Sequence, residues 1–185
     1  LLAFLVLINF NNLTILLALG SMPLAFTYPL MKRFTYWPQL FLGITFNYGL
    51  ILGWTSIIGE INTAPIILYL GAIFWTLGYD TVYGFQDIED DEIIGVKSTS
   101  IKFKKNPKKF LFVCYLMLLS SLVLSGINMQ LNFIFYLFLT LIGSHLLFYQ
   151  IKSLDRKNSS LCLKIFKSNN LVGLTILISI FLGKL

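Results

Sequence analysis

The chain has 185 residues, of which 57% are hydrophobic and only 12% charged, with a net charge of +6 and a mean hydropathy of +0.80. A soluble domain carries roughly 25% charged residues, so this chain cannot clothe itself in polar surface, which excludes a soluble globular class. The continuous apolar runs also exclude a membrane β-barrel, whose strands alternate over about ten residues; they predict an all-α, polytopic transmembrane helical bundle.

The opening LLAFLVLI is too short to cross a bilayer, which takes about 20 residues. Leu1 is not a methionine and no charged leader precedes it, so this segment is expected to be the tail of an earlier helix. The chain is then expected to be one membrane-embedded domain, 1–185, shortened at its N-terminus. Six complete spans are predicted at 13–30, 38–58, 64–86, 110–126, 131–150 and 169–183. Between them lie Asn11-Asn12, Pro29 with Lys32-Arg33, Gly59 to Pro65, the polar stretch 87–109, Gly126 to Gln130, and 151–168.

Lysine and arginine orient the spans. Loops 31–37, 87–109 and 151–168 hold thirteen of the fourteen cations, and only Lys184 falls at the opposite end. By the positive-inside rule those loops face the cytoplasm. Their basicity suits anionic headgroups or an anionic substrate rather than nucleic acid. Nothing in the sequence calls for an obligate protein partner. Cys114 and Cys162 lack metal-site or disulfide spacing; Cys114 is expected to pack in a span, and Cys162 to be a free thiol in a loop.

The stretch YDTVYGFQDIEDDEIIGVKST, 79–99, holds six of the chain's eight carboxylates. Such a run ordinarily marks a solvated helix end. Its spacing says more: on one continuous helix, Asp80, Tyr83, Asp87 and Asp91 fall within about 80° of arc. Asp87 and Asp91, one turn apart, repel unless a cation intervenes. Asp80 lies about 10 Å deeper along such a helix, where ionisable groups are costly and usually line a site. Two carboxylates opening to the cytoplasm suit Mg2+, a hard ion that takes oxygen ligands, waters and substrate phosphates. Lys97 would add a point charge for a phosphate.

In YPLMKRFTYWPQ, 28–39, Tyr28 and Pro29 end one span and Pro38 starts the next. Lys32 and Arg33 between them read either as a topological anchor or as an anion-binding pair, Arg33 gripping a carboxylate bidentately. The lone His145 is expected to hydrogen-bond between helices, and Trp37, Trp54 and Trp75 to pack or anchor at interfaces.

At these segments the sequence resembles the 4-hydroxybenzoate polyprenyltransferases, the UbiA-type intramembrane aromatic prenyltransferases. Asp80, Tyr83, Asp87 and Asp91 match the family's second motif, D-x-x-Y-x-x-x-D-x-x-x-D; IGVKST at 94–99 is similar to its continuation. YPLMKRFTYWPQLFLG at 28–43 resembles the loop between the family's fourth and fifth helices, and NNLVG at 169–173 the start of its last helix. The resemblance, from about residue 10 onward, implies a nine-helix parent whose first motif, N-D-x-x-D-x-x-x-D, lies upstream. It implies Mg2+-assisted transfer of a polyprenyl group from polyprenyl diphosphate to the ring carbon ortho to the hydroxyl of 4-hydroxybenzoate, in ubiquinone biosynthesis. Asp87 and Asp91 would hold Mg2+; Lys97 and Lys32 would meet diphosphate and Arg33 the benzoate carboxylate. Asp80 and Tyr83 would orient the ring or stabilise the cation. The membrane would be the bacterial inner membrane, or the mitochondrial one, with the site on the cytoplasmic or matrix side. Homogentisate, naphthoate or a chlorin as acceptor, and a cation-binding transporter, are the competing readings.

Overall fold

The computed structural model describes residues 2–185, and the described residues contain helices and connecting turns with no strand. In a bilayer the backbone must satisfy its own hydrogen bonds, and a helix does so within one segment. Six helical stretches are long and apolar enough to cross a membrane, so the protein is an integral membrane helical bundle.

After the short α1 (Leu2–Leu7), α2 (Asn12–Thr27) starts at Asn11, whose side chain accepts from the Thr14 amide. A 3-10 turn at Tyr28–Leu30 and the four-residue α3 (Met31–Phe34) carry the chain to α4 (Pro38–Ile58), with Pro38 in its first turn. Gly59, at φ 81°, ends α4 in the left-handed region that glycine enters without steric cost. α5 (Thr63–Tyr83) leads into two short helices, α6 (Ile88–Ile94) and α7 (Thr99–Lys102). Then come α8 (Pro107–Asn128), α9 (Phe133–Ser144) with a π-helical turn at His145–Ile151, and α10 (Ser159–Lys184).

Polar side chains and close backbone approach hold the helices together, as expected where lipid is as apolar as leucine. The buried Thr14 hydroxyl donates to Thr55 Oγ1 at 3.0 Å, joining α2 to α4. Asn47 on α4 donates to Thr76 Oγ1 at 2.7 Å and to the Ala72 carbonyl on α5. α5 and α8 meet where Gly71 faces Ser121 so closely that a Cβ would fall onto the serine hydroxyl. Outward residues such as Ile57 (85% exposed) and Phe181 (66%) present hydrocarbon to the bilayer.

A second polar set joins α5, α8, the π turn and α10. Gln150, fully buried, accepts from the Tyr115 hydroxyl and donates to Ser168 Oγ at 3.0 Å. His145 also meets Ser168 Oγ at 3.1 Å, bridging helices as anticipated. A π turn bonds i to i+5, which brings residues 145 and 150 onto one face where an α-helix would separate them.

Two expectations fail. The last span begins at residue 159, not 169, because Asn158 caps it through a bond from the Leu161 amide at 3.0 Å. NNLVG therefore sits in mid-helix, with Asn169 buried and accepting from Trp75 Nε1 at 2.8 Å. Cys162 is accordingly not a loop thiol but a fully buried residue of α10, whereas Cys114 does pack inside α8. Lys164 and Lys167 had made 159–168 read as a loop; both lie on the helix near its basic end.

The Gly71 contact gives a direct test. Gly71→Ala should destabilise the bundle by about 1–3 kcal/mol through overpacking, lowering its melting temperature in detergent. Gly53→Ala, where the added methyl meets open space, should be neutral or slightly stabilising.

Candidate functional site

The predicted carboxylate stripe does not lie on one helix. α5 ends at Gly84, whose amide donates to the Asp80 carbonyl at 2.9 Å, and the chain turns before α6 begins at Ile88. The cause is local. In a continuing helix the Thr81 carbonyl would accept from the Phe85 amide; instead Ser100 Oγ donates to it at 2.8 Å, and the Phe85 amide turns to Val82. Gly84 permits this approach, since a Cβ there would overlap the Ser100 hydroxyl. Phe85 and Ile88 then plug into the core beneath the acidic turn.

The break still gathers the motif. Asp80, Tyr83, Asp87 and Asp91 line one cavity of about 340 Å³ with Lys32 and Gln39. Lys32 Nζ stands 3.8 Å from Asp91 Oδ2; the Asp91 side chain is 14% exposed, so the pair is only partly screened. Asp87 sits at the N-cap of α6, where its carbonyl accepts from the Asp91 amide at 2.8 Å. Tyr83 packs on Phe166 of α10, ring centroids 4.7 Å apart, and Tyr79 meets the same ring at 5.7 Å. A second, more apolar cavity of about 480 Å³ adjoins these aromatics, bounded by Asn47, Trp75, Tyr79, Phe166 and Asn169.

Arg33 and Lys97 sit differently from their neighbours. Arg33 is exposed on the last turn of α3, outside the residues that line the cavity, while the adjacent Lys32 lines it. The Lys97 side chain donates to the Phe34 carbonyl at 3.3 Å and lies 5.7 Å above the Tyr36 ring. Its backbone amide holds the Lys32 carbonyl at 2.8 Å, fixing the loop that carries Lys32.

Sequence reasoning missed the residues that clamp the acidic turn. Gln39, buried in the first turn of α4, accepts from the Thr99 amide at 2.9 Å, and Thr99 and Thr81 share a buried hydroxyl contact at 2.6 Å. The available signal was a glutamine directly after Trp-Pro at the head of an apolar span. Phe166 was hidden by the misplaced start of the last helix.

Chemically, the cavity offers carboxylate oxygens, one ammonium and aromatic faces. Among the described residues no three acidic, histidine or cysteine side chains converge as a metal cage. Asp87 and Asp91 line the same cavity, and carboxylate oxygens are the donor type that a hard cation such as Mg2+ takes together with waters and phosphate oxygens.

The UbiA prenyltransferase family model matches residues 1–174. The chain is 43% identical over 181 residues to the mitochondrial 4-hydroxybenzoate polyprenyltransferase of Bos taurus, covering 97% of this chain and 48% of that protein. It is 44% identical over 185 residues to the enzyme of that name from Drosophila melanogaster, 100% of this chain and 47% of the relative. It therefore spans about half the length of these relatives. In fold it is similar to the apo structure of a UbiA homolog from Aeropyrum pernix K1, with a TM-score of 0.78 at 18% identity, over 97% of this chain and 67% of that one.

The clamp predicts a local effect. Gln39→Leu leaves the buried Thr99 amide without its acceptor, a loss of about 1–3 kcal/mol. Hydrogen exchange at 95–102 should accelerate while α8 and α9 keep their protection.

Proposed function

Because the chain belongs to the UbiA prenyltransferase family, we propose that the full-length protein transfers a polyprenyl group from polyprenyl diphosphate to 4-hydroxybenzoate, at the ring carbon ortho to the hydroxyl, in ubiquinone biosynthesis. The observation that carries this reading is the cavity that gathers Asp80, Asp87, Asp91 and Lys32 at one end of an apolar bundle. A charged diphosphate and a hydrocarbon tail need that combination. The names of the relatives favour 4-hydroxybenzoate over homogentisate, naphthoate or a chlorin.

Asp87 and Asp91 would hold Mg2+, which would supply positive charge to offset that of the leaving diphosphate. Lys32, beside Asp91, adds a cation to the same group, and Lys97 supports it from the loop. Loss of diphosphate breaks the allylic C–O bond, and the ring carbon ortho to the hydroxyl supplies the electron pair for the new C–C bond. The proton of that carbon then passes to the released diphosphate or to water, which restores aromaticity. Tyr83, backed by Phe166, turns an aromatic wall toward the positive charge that develops between these events. Asp80 orients the acceptor. The apolar cavity beside Trp75 and Tyr79 takes the isoprenoid chain. Arg33, one residue from Lys32 at the lip, receives the benzoate carboxylate. The membrane is the bacterial or mitochondrial inner membrane, with the basic loops and the site on the cytoplasmic or matrix side; the mitochondrial names of the relatives support the second.

Asp91→Asn keeps the size of the side chain and removes its charge. Turnover of the full-length protein in membranes should fall by orders of magnitude with its melting temperature nearly unchanged; wild-type turnover would sink the metal assignment.

Arg33→Lys keeps the charge and loses the bidentate fork. The KM for 4-hydroxybenzoate should rise more than that for the prenyl diphosphate, and equal changes in both would make Arg33 an anchor only.

A further inference from the structure

Beside the site, and sharing no lining residue with it, lies a groove that the proposed chemistry does not use. Phe74 and Tyr83 are about two and a half turns apart on α5; Tyr83 lines the carboxylate cavity, and Phe74 lines this groove of about 460 Å³. Its walls are Phe74 and Leu77 of α5 and Phe110, Val113 and Cys114 of α8. Its cytoplasmic end is closed by an aromatic series. Trp37 meets Phe103 edge-on at 5.6 Å, and Phe103 stacks on Phe110 at 3.9 Å.

The lip of the groove is basic. Lys109 lines it beside Asn106, and Lys102 rests 4.3 Å above the Trp37 ring. Both lysines are exposed, and among the described residues neither has a carboxylate within ion-pair distance; the two ion pairs present belong to Lys32 and Lys104. The walls lie on two helices long and apolar enough to cross a membrane, which puts the slot at hydrocarbon depth. A hydrocarbon slot under two uncompensated cations at the interface is complementary to one class of molecule.

We propose that this groove is a binding site for an anionic phospholipid, one acyl chain lying between α5 and α8 and the headgroup phosphate meeting Lys102 and Lys109. Basic pockets between spans on the cytoplasmic or matrix side bind such headgroups. The Trp37 indole belongs at the same depth, because its amphipathic ring favours the headgroup level. The site is separate from the carboxylate cavity, so it stands or falls without the prenyl-transfer reading.

The test is native mass spectrometry of the full-length protein released from nanodiscs of equal parts phosphatidylglycerol and phosphatidylcholine. The wild type should retain one phosphatidylglycerol in preference to phosphatidylcholine, identified by its mass. Each lysine near the surface contributes about fivefold in affinity, so Lys102→Gln with Lys109→Gln should erase the preference. Val113→Trp, which fills the slot, should lower retention of that lipid with the lysines intact. Lys152→Gln with Lys157→Gln, cations away from the groove, should leave the preference unchanged. Melting temperatures identify which variants are folded and are to be compared. No headgroup preference in the wild type, equal loss from the distant pair, or undiminished retention in both groove variants would overturn the assignment.

Discussion

The acidic turn stands over the bundle because the segment after it is tied back to two spans. Gln39 of α4 takes the Thr99 amide, Ser100 takes the Thr81 carbonyl of α5, and the Lys97 amide takes the Lys32 carbonyl. The first two lie among buried residues, so water does not compete for their partners. These ties set where α5 stops, and the stopping point decides which way Asp87 and Asp91 face. Lys32 sits near Asp91 because the same return segment grips its loop. The carboxylates are thus placed by neutral side chains, Gln39 and Ser100.

The fold was largely legible because hydrocarbon imposes a simple grammar. Unbroken apolar runs of span length have one conformation open to them in lipid, and Pro38 and Gly59 punctuate them as expected. The last span was misjudged for a physical reason. SSLCLKIFKS, 159–168, alternates polar and apolar groups, yet its lysines project while Cys162 and Ile165 are buried. Hydropathy alone does not distinguish such an amphipathic helix end from a loop.

At the site, the motif residues were legible from their spacing, and their grouping around one cavity was not. A straight helix would have set Asp80, Tyr83, Asp87 and Asp91 along a stripe; the chain instead folds them around a hollow. What decides between the two is a competition for the Thr81 carbonyl from Ser100, nineteen residues away. Pattern reading within one segment has no access to a competitor from another. Gln39 was missed because its partner, the Thr99 amide, also comes from another segment; Phe166 was missed because the last helix starts earlier than its hydropathy suggests.

The π turn at 145–151 has a consequence for comparing relatives. Its i to i+5 bonding accommodates one residue more than an α-helical ladder of the same height, and it is what lets His145 and Gln150 share Ser168. A relative that is one residue shorter here need not have lost anything from a connecting loop. In such a relative the helix matching α9 would run straight, the two side chains would part, and the gap in an alignment would belong inside the membrane span.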